Sequence, residues 1–195
     1  MTPPRPRHGL LLIDIQQGFD HPPHAGTPRS TPDFETNVAQ LLALYRATAE
    51  PGDIFHVCHH STSASSPLHP SRGHVGFQPY AAPLPGEPTF SKNVNSGFIG
   101  TGLEAAIRAR GVTDLVVVGL TTDHCVSTTV RMAANLGVVP GRIRLVRDAT
   151  AAYERSVDGR THDAELVQSV HLASLNEEFC ELVSTADLIR EMESA

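Results

Sequence analysis

Apolar residues in this chain come in short, nearly unbroken runs: GLLLI (9–13), DIFHV (53–57), DLVVVG (114–119) and RIRLV (142–146). Runs of this length without alternation suit strands covered on both faces. EFCELV (178–183) is a weaker fifth and TFSKN (89–93) a very short sixth. The segments between them carry helix punctuation. Thr31-Pro32 reads as an N-cap followed by proline at the first helical position, and Phe34, Val38, Leu41, Leu42 and Tyr45 recur at helical spacing. Thr101 and Glu104 make a capping-box pattern, with Leu103 and Ile107 behind it and Gly111 as the stop. Two more helices are expected, over about 123–136 with Val126, Val130 and Ala133 inward, and over about 161–174 with Leu166, Val170 and Ala173 inward. Strand and helix alternating in this way predict a three-layer α/β/α fold around a mostly parallel sheet.

A chain of 195 residues fits one domain, and 40% hydrophobic with 18% charged residues is ordinary globular composition. The formal charge of −6 argues against nucleic acid as the main partner. GLLLI is too short for a signal peptide or a membrane span, so a cytoplasmic protein with no membrane partner is expected. Cys58, Cys125 and Cys180 are well separated and odd in number, which fits neither a disulfide framework nor a CxxC zinc pattern. Two stretches break the rhythm: residues 20–30, rich in His, Pro and Gly, and residues 60–88, with six prolines and no helical period. The second has the character of a lid or binding loop.

Ligands of an open parallel sheet bind at the carboxyl ends of strands, where strand order reverses. Asp14 ends the first apolar run, at the rim of the core, where desolvation can raise a carboxyl toward a general base. Lys92 follows a short extended segment and precedes the turn formers Asn93, Asn95, Ser96 and Gly97. Cys125 comes just after the polar turn GLTTD, in the first turn of a helix, where free amides and the helix dipole favour a thiolate. An isolated cysteine there can also fill core; its place at a strand-to-helix turn favours a nucleophile. Cys58, inside a strand, and Cys180, inside EFCEL, read as core residues. Phe19, Phe98, Phe77 and Tyr80 are candidates for an apolar substrate wall, and His59 or His60 for a hydrogen-bonding group at the site mouth. His171 reads as structural and Asp148 as a strand-end cap.

LLIDIQQGF, KNVNSGFIGTGLEAAIRARGV and DLVVVGLTTDHCVSTTVRMAANLG together resemble the isochorismatase-like cysteine hydrolases, which include nicotinamidases and ureidoacrylate amidohydrolases. The resemblance runs from about residue 8 to 185. It implies catalytic Asp14, Lys92 and Cys125, a non-proline cis peptide at Leu120-Thr121, and an oxyanion hole from the backbone N–H groups of Thr121 and Cys125. It also implies six strands in the order 3-2-1-4-5-6 and a homo-oligomer, dimer or larger. Members of the family that cleave a vinyl ether can lack the cysteine, so Cys125 points to acyl chemistry on a small amide or ureido compound. Nicotinamidases carry a metal-binding Asp-x-His after the second strand; here the region reads HVCHHSTSASSPLHPSRGH, with no Asp. The expectation is therefore a hydrolase with no cofactor and no metal. The rivals are a metal-dependent nicotinamidase, and a redox-sensing thiol protein on the same scaffold.

Overall fold

The computed structural model describes residues 7–194. Its centre is a six-stranded sheet, every neighbouring pair parallel, built from β1 (His8–Ile13), β2 (Ile54–His59), β3 (Thr89–Lys92), β4 (Asp114–Leu120), β5 (Ile143–Ala151) and, after a two-stranded hairpin, β8 (Glu181–Val183). The hairpin strands are β6 (Arg155–Val157) and β7 (Arg160–His162). Sheet order is β3-β2-β1-β4-β5-β8, the doubly wound order expected, with the reversal between β1 and β4. Among the described residues no helix is long and apolar enough to cross a membrane.

The central strands are buried on both faces, which is why their sequences do not alternate. Leu11, Ile13, Val57 and Val117 face one core with α2 (Leu103–Ala109), α3 (Ser127–Leu136) and α4 (Ala164–Leu175). Leu10, Leu12, Val116 and Val118 face the other, under α1 (Phe34–Thr48) and α5 (Thr185–Glu193). Gly119 permits the closest backbone approach: a Cβ there would lie 2.1 Å from the Ile13 carbonyl oxygen, and its φ is +135°. Only glycine lets the end of β4 sit so tightly against the end of β1.

Several local expectations need correction. α1 begins at Phe34, not at Pro32; Thr31 has φ +57° and uses its hydroxyl to donate to the Thr150 carbonyl instead of capping. Thr101 accepts from the Leu103 N–H and donates to the Gly97 carbonyl, while Glu104 turns to Arg108, so no capping box closes. α4 is rotated from its expected phase. Leu166, Val170 and Ala173 are exposed, and Ala164, Val167, Gln168 and Leu175 are inward. The buried Gln168 donates to the Arg147 and Thr150 carbonyls, tying α4 to β5. Asp148 lies within β5 and its carboxylate accepts from the N–H and hydroxyl of Thr185, at the start of α5.

Residues 60–88 are irregular, with two short helical turns at Pro70–Arg72 and Pro79–Ala81. They lie against the segment following β1: Gln17 N–H donates to the Gly76 carbonyl and Gln78 N–H to the Ile15 carbonyl, both at 2.9 Å. The far end is fixed by Glu87, which accepts from Arg46 of α1 and from buried His56 of β2.

Candidate active site

Three strand ends converge at the reversal point. β1 stops at Ile13 and the next residue, Asp14, adopts φ +52°, with its N–H donated to the Val57 carbonyl at 2.9 Å. A non-glycine residue in this region carries strain, and here it turns a carboxylate off the strand axis into the site. β3 delivers Lys92 directly beside His59 of β2, its register partner. β4 runs into the Leu120-Thr121 peptide, which is cis, and then into a wide turn over Thr122–Val126 in which the Val126 N–H reaches back to the Thr121 carbonyl. Cys125 sits in that turn, immediately ahead of α3.

Lys92 is the hub. Its Nζ donates to Asp14 Oδ2 at 2.6 Å and to Cys125 Sγ at 3.2 Å, and lies 3.2 Å from His59 Nδ1. An ammonium has three protons and accepts nothing. His59 Nδ1 must therefore be the acceptor, which leaves the ring proton on Nε2. Asp14 is 1% and Lys92 3% exposed. The second carboxylate oxygen, Oδ1, is buried and has no hydrogen-bond partner among the described residues. A carboxylate oxygen of Asp14, a ring nitrogen of His59 and Sγ of Cys125 all lie within 4.8 Å of one another.

Burial governs the titration of this group. It pushes the Cys125 thiol up to about 12, with the Asp14 charge adding to the rise and Lys92 opposing it. It also raises the Asp14 carboxyl, against the pull of Lys92. Burial and the Asp14 charge thus oppose the ionisation that the position at the helix start favours, while Lys92 supports it. His59 is held below the ordinary histidine range by burial and by Lys92, so it is neutral near pH 7.

A cavity of about 200 Å³ opens onto these groups. Of the residues expected to bind substrate, Phe19 and His59 line it. Phe98 does not: it is 8% exposed and packs in the core with Leu103 and Val130. Phe77 stands edge-on to His56, and Tyr80 packs against the core under α1, so neither forms the wall. Sequence reading missed His24, Ser66, Leu68, Asn95 and His124, which complete the lining with Thr121. Their signal was position: the first three belong to the two irregular stretches, Asn95 to the turn after Lys92, and His124 adjoins Cys125. Gln16 was also missed. Fully buried, it donates to the carbonyls of His59 (3.1 Å) and Val75 (2.8 Å) and accepts from the His59 N–H (2.7 Å), joining β1, β2 and the long loop behind the site.

The histidines after β2 do not gather into a nicotinamidase-type metal centre. His56 is wholly buried against Glu87, His60 lies 3.7 Å from Cys58 Sγ, His69 bonds Ser71, and His74 stacks on His21. Cys58 and Cys180 are buried, as expected of core residues.

The Isochorismatase domain model matches residues 8–187. The chain belongs to the isochorismatase family. This isochorismatase-family hydrolase is 34% identical over 187 residues to the isochorismatase family protein YrdC of Bacillus subtilis (strain 168), covering 95% of this chain and 96% of the relative. The solved structure of a Chromobacterium violaceum ATCC 12472 protein, assigned to the same family of hydrolases, superposes with a TM-score of 0.87 at 36% identity, covering 97% and 95% of the two chains. A shorter match, 41% over 54 residues, links it to the ureidoacrylate amidohydrolase RutB of Agrobacterium fabrum (strain C58 / ATCC 33970), covering 28% of this chain and 24% of that one.

Proposed function

We propose that this hydrolase cleaves the C–N bond of a small amide or ureido compound through a thioester on Cys125. The observation that carries the reading is the Lys92 ammonium bonded at once to Asp14 (2.6 Å) and Cys125 (3.2 Å) at the floor of a cavity. Asp14 accepts the thiol proton, its unpartnered Oδ1 being the free acceptor, as sulfur attacks the substrate carbonyl. The N–H groups of Thr121 and Cys125 receive the developing oxyanion. As the tetrahedral adduct collapses, Asp14 returns the proton to the departing amine; it then takes a proton from the water that attacks the thioester. Lys92 stays charged throughout and stabilises whichever partner, carboxylate or thiolate, carries the negative charge.

The cavity has the room of about seven water molecules. That volume suits a small substrate. Phe19 and Leu68 give it apolar walls, and His59 adds a polar group to the lining. Because Ser66 and Leu68 come from the long loop, residues 60–88 select the substrate. Free thiols at all three cysteines suit a reducing compartment, the cytoplasm.

The redox-sensor alternative has less support, since Cys58 contacts His60 and Cys180 contacts the Leu175 carbonyl, leaving no resolving thiol bonded to Cys125. The test is ammonia release from a panel of primary amides and ureido compounds, with mass spectrometry of the quenched enzyme. An acyl adduct on Cys125 and loss of turnover in Cys125→Ser are expected. Unchanged turnover in Cys125→Ser, or sulfenic-acid labelling of Cys125 with no substrate turned over, would sink the proposal.

A further inference from the structure

We infer that the substrate is electrically neutral: a small amide or ureido compound that carries no carboxylate and no ammonium group. This deepens the function proposed above and rests on it. The ground is the lining of the cavity. Outside the pair that does the chemistry, Asp14 and Cys125, no described residue of the lining carries a formal charge near pH 7. Phe19, Leu68, Ser66, Asn95 and Thr121 have no group that ionises there. The other three are histidines, and each is neutral. Lys92 donates to His59 Nδ1 at 3.2 Å and Arg155 of β6 to His124 Nδ1 at 3.4 Å, and a ring nitrogen that accepts carries no proton. His24 packs on the rings of Phe19 (4.8 Å) and Tyr153 (4.9 Å), where burial and the nearby Arg155 charge hold it below the ordinary histidine range.

The two cations close to this lining are already matched. Lys92 stands behind it, with its side chain wholly buried and bonded to Asp14 and Cys125. Arg155, beside His124, donates through Nε to Asp123 Oδ2 at 2.7 Å. A carboxylate entering the cavity therefore sheds its water, finds hydrogen-bond donors but no counter-charge, and faces the Asp14 carboxylate. An ammonium group has Asp14 as its one counter-charge in the lining, and pairing there takes the oxygen that is to accept the thiol proton. A neutral group meets neither penalty. Ser66, Asn95 and the imidazoles can give and accept hydrogen bonds with a carbonyl, amide or hydroxyl, while Phe19 and Leu68 cover apolar carbon.

The experiment compares amides of matched size that differ in charge: succinamide with succinamate, carbamoylglycinamide with carbamoylglycine, and butyramide with β-alaninamide. Two quantities are read near pH 7: kcat/KM from ammonia release, and protection of wild-type Cys125 against iodoacetamide, which needs no turnover. The neutral member of each pair should lead by about thirtyfold or more in kcat/KM, and the two anions should protect Cys125 correspondingly less than their neutral partners. Ser66→Arg and Asn95→Arg each add a cation to the lining at a position outside the buried core. Either should raise the ratio of succinamate to succinamide turnover by about tenfold or more, with circular dichroism confirming the fold. Charged amides handled as well as their neutral partners in both readouts would overturn the inference and leave C–N cleavage standing. A ratio unmoved in both folded arginine variants would overturn it too. Protection by the neutral amides alone, with no compound turned over, would sink the hydrolase reading and bear out the neutral ligand. Neither turnover nor protection from any compound would overturn both.

Discussion

Lys92→Met keeps the length and bulk of the side chain and removes the charge that bonds both Asp14 and Cys125. At 3.2 Å and an effective dielectric near 20, the ammonium–thiolate attraction is about 5 kcal/mol. Water entering the cavity and relaxation of the site take back about half, leaving roughly 2–3 kcal/mol. Each 1.36 kcal/mol is about one pKa unit, so the thiolate at neutral pH should fall about a hundredfold. The assay is the rate of iodoacetamide alkylation of Cys125 against pH, followed by mass spectrometry of its peptide. Cys58 and Cys180 in the same digest are internal references, and circular dichroism confirms the fold. The variant should alkylate Cys125 about a hundredfold more slowly near pH 7, with the rate recovering only at higher pH, and turnover should collapse with it. A rate within about threefold of wild type would refute the argument, because the cation would then not be what holds the sulfur's charge.

Asp14→Asn should abolish turnover yet speed alkylation of Cys125 near pH 7, since the Asp14 charge is one of the influences raising the thiol; a slowed alkylation would contradict this. On the proposed mechanism Asp14 must be ionised to accept the proton, and its carboxyl is raised, so activity should be lost as pH falls through a value above the ordinary ~3.9; a pH–rate profile flat down to that value would place the base elsewhere. Gln16→Ala removes three buried hydrogen bonds and should cost about 3 kcal/mol, lowering the melting temperature by about 6–12 °C; a loss below about 2 °C in calorimetry would show that the clamp is dispensable. EDTA treatment should leave ammonia release unchanged, because the histidines after β2 are engaged separately with Glu87, Cys58, Ser71 and His21; stoichiometric rescue by zinc or iron after chelation would reverse that conclusion.

The sheet was legible because parallel strands buried on both faces leave continuous apolar runs; Asp14 stands just where one ends, whereas Lys92 closes the short, mostly polar β3 and Cys125 follows the polar turn after β4. What the sequence hid depends on partners distant along the chain. Gln16 looks like any polar loop residue until His59 and Val75, 43 and 59 positions on, are seen around it. Gln168 misled the phase of α4, because a polar residue was assigned outward while Leu166 and Val170 were assigned inward. The hairpin β6–β7 lacks the apolar alternation that marks a strand; its signal was the Asp158-Gly159 pair, both at positive φ, the preferred residues of a tight hairpin turn. The charge state of Cys125 was not legible either. Position predicts a dipole and a nearby lysine, but the depth of burial, which decides the balance, is a property of the packed fold.

That burial explains how the resting site can combine a thiol raised to about 12 with the nucleophilic role proposed for it. Ionising Cys125 by giving its proton to solvent would leave carboxylate and thiolate together in a poorly solvated place, balanced by one ammonium. Passing the proton to Asp14 instead keeps the net charge of the trio unchanged: carboxylate, thiol and ammonium become carboxylic acid, thiolate and ammonium. Lys92 already bonds both partners, so it need not move as the charge shifts from oxygen to sulfur. The relevant quantity is then the balance within the pair, which titrates as a unit, and not the affinity of the thiol for a solvent proton. A raised Asp14 is an advantage in this arrangement, because a more basic carboxylate makes the internal transfer less uphill. The same burial that silences the thiol toward solvent therefore readies it for a carbonyl held against it, and the apolar walls at Phe19 and Leu68 restrict which carbonyl can arrive.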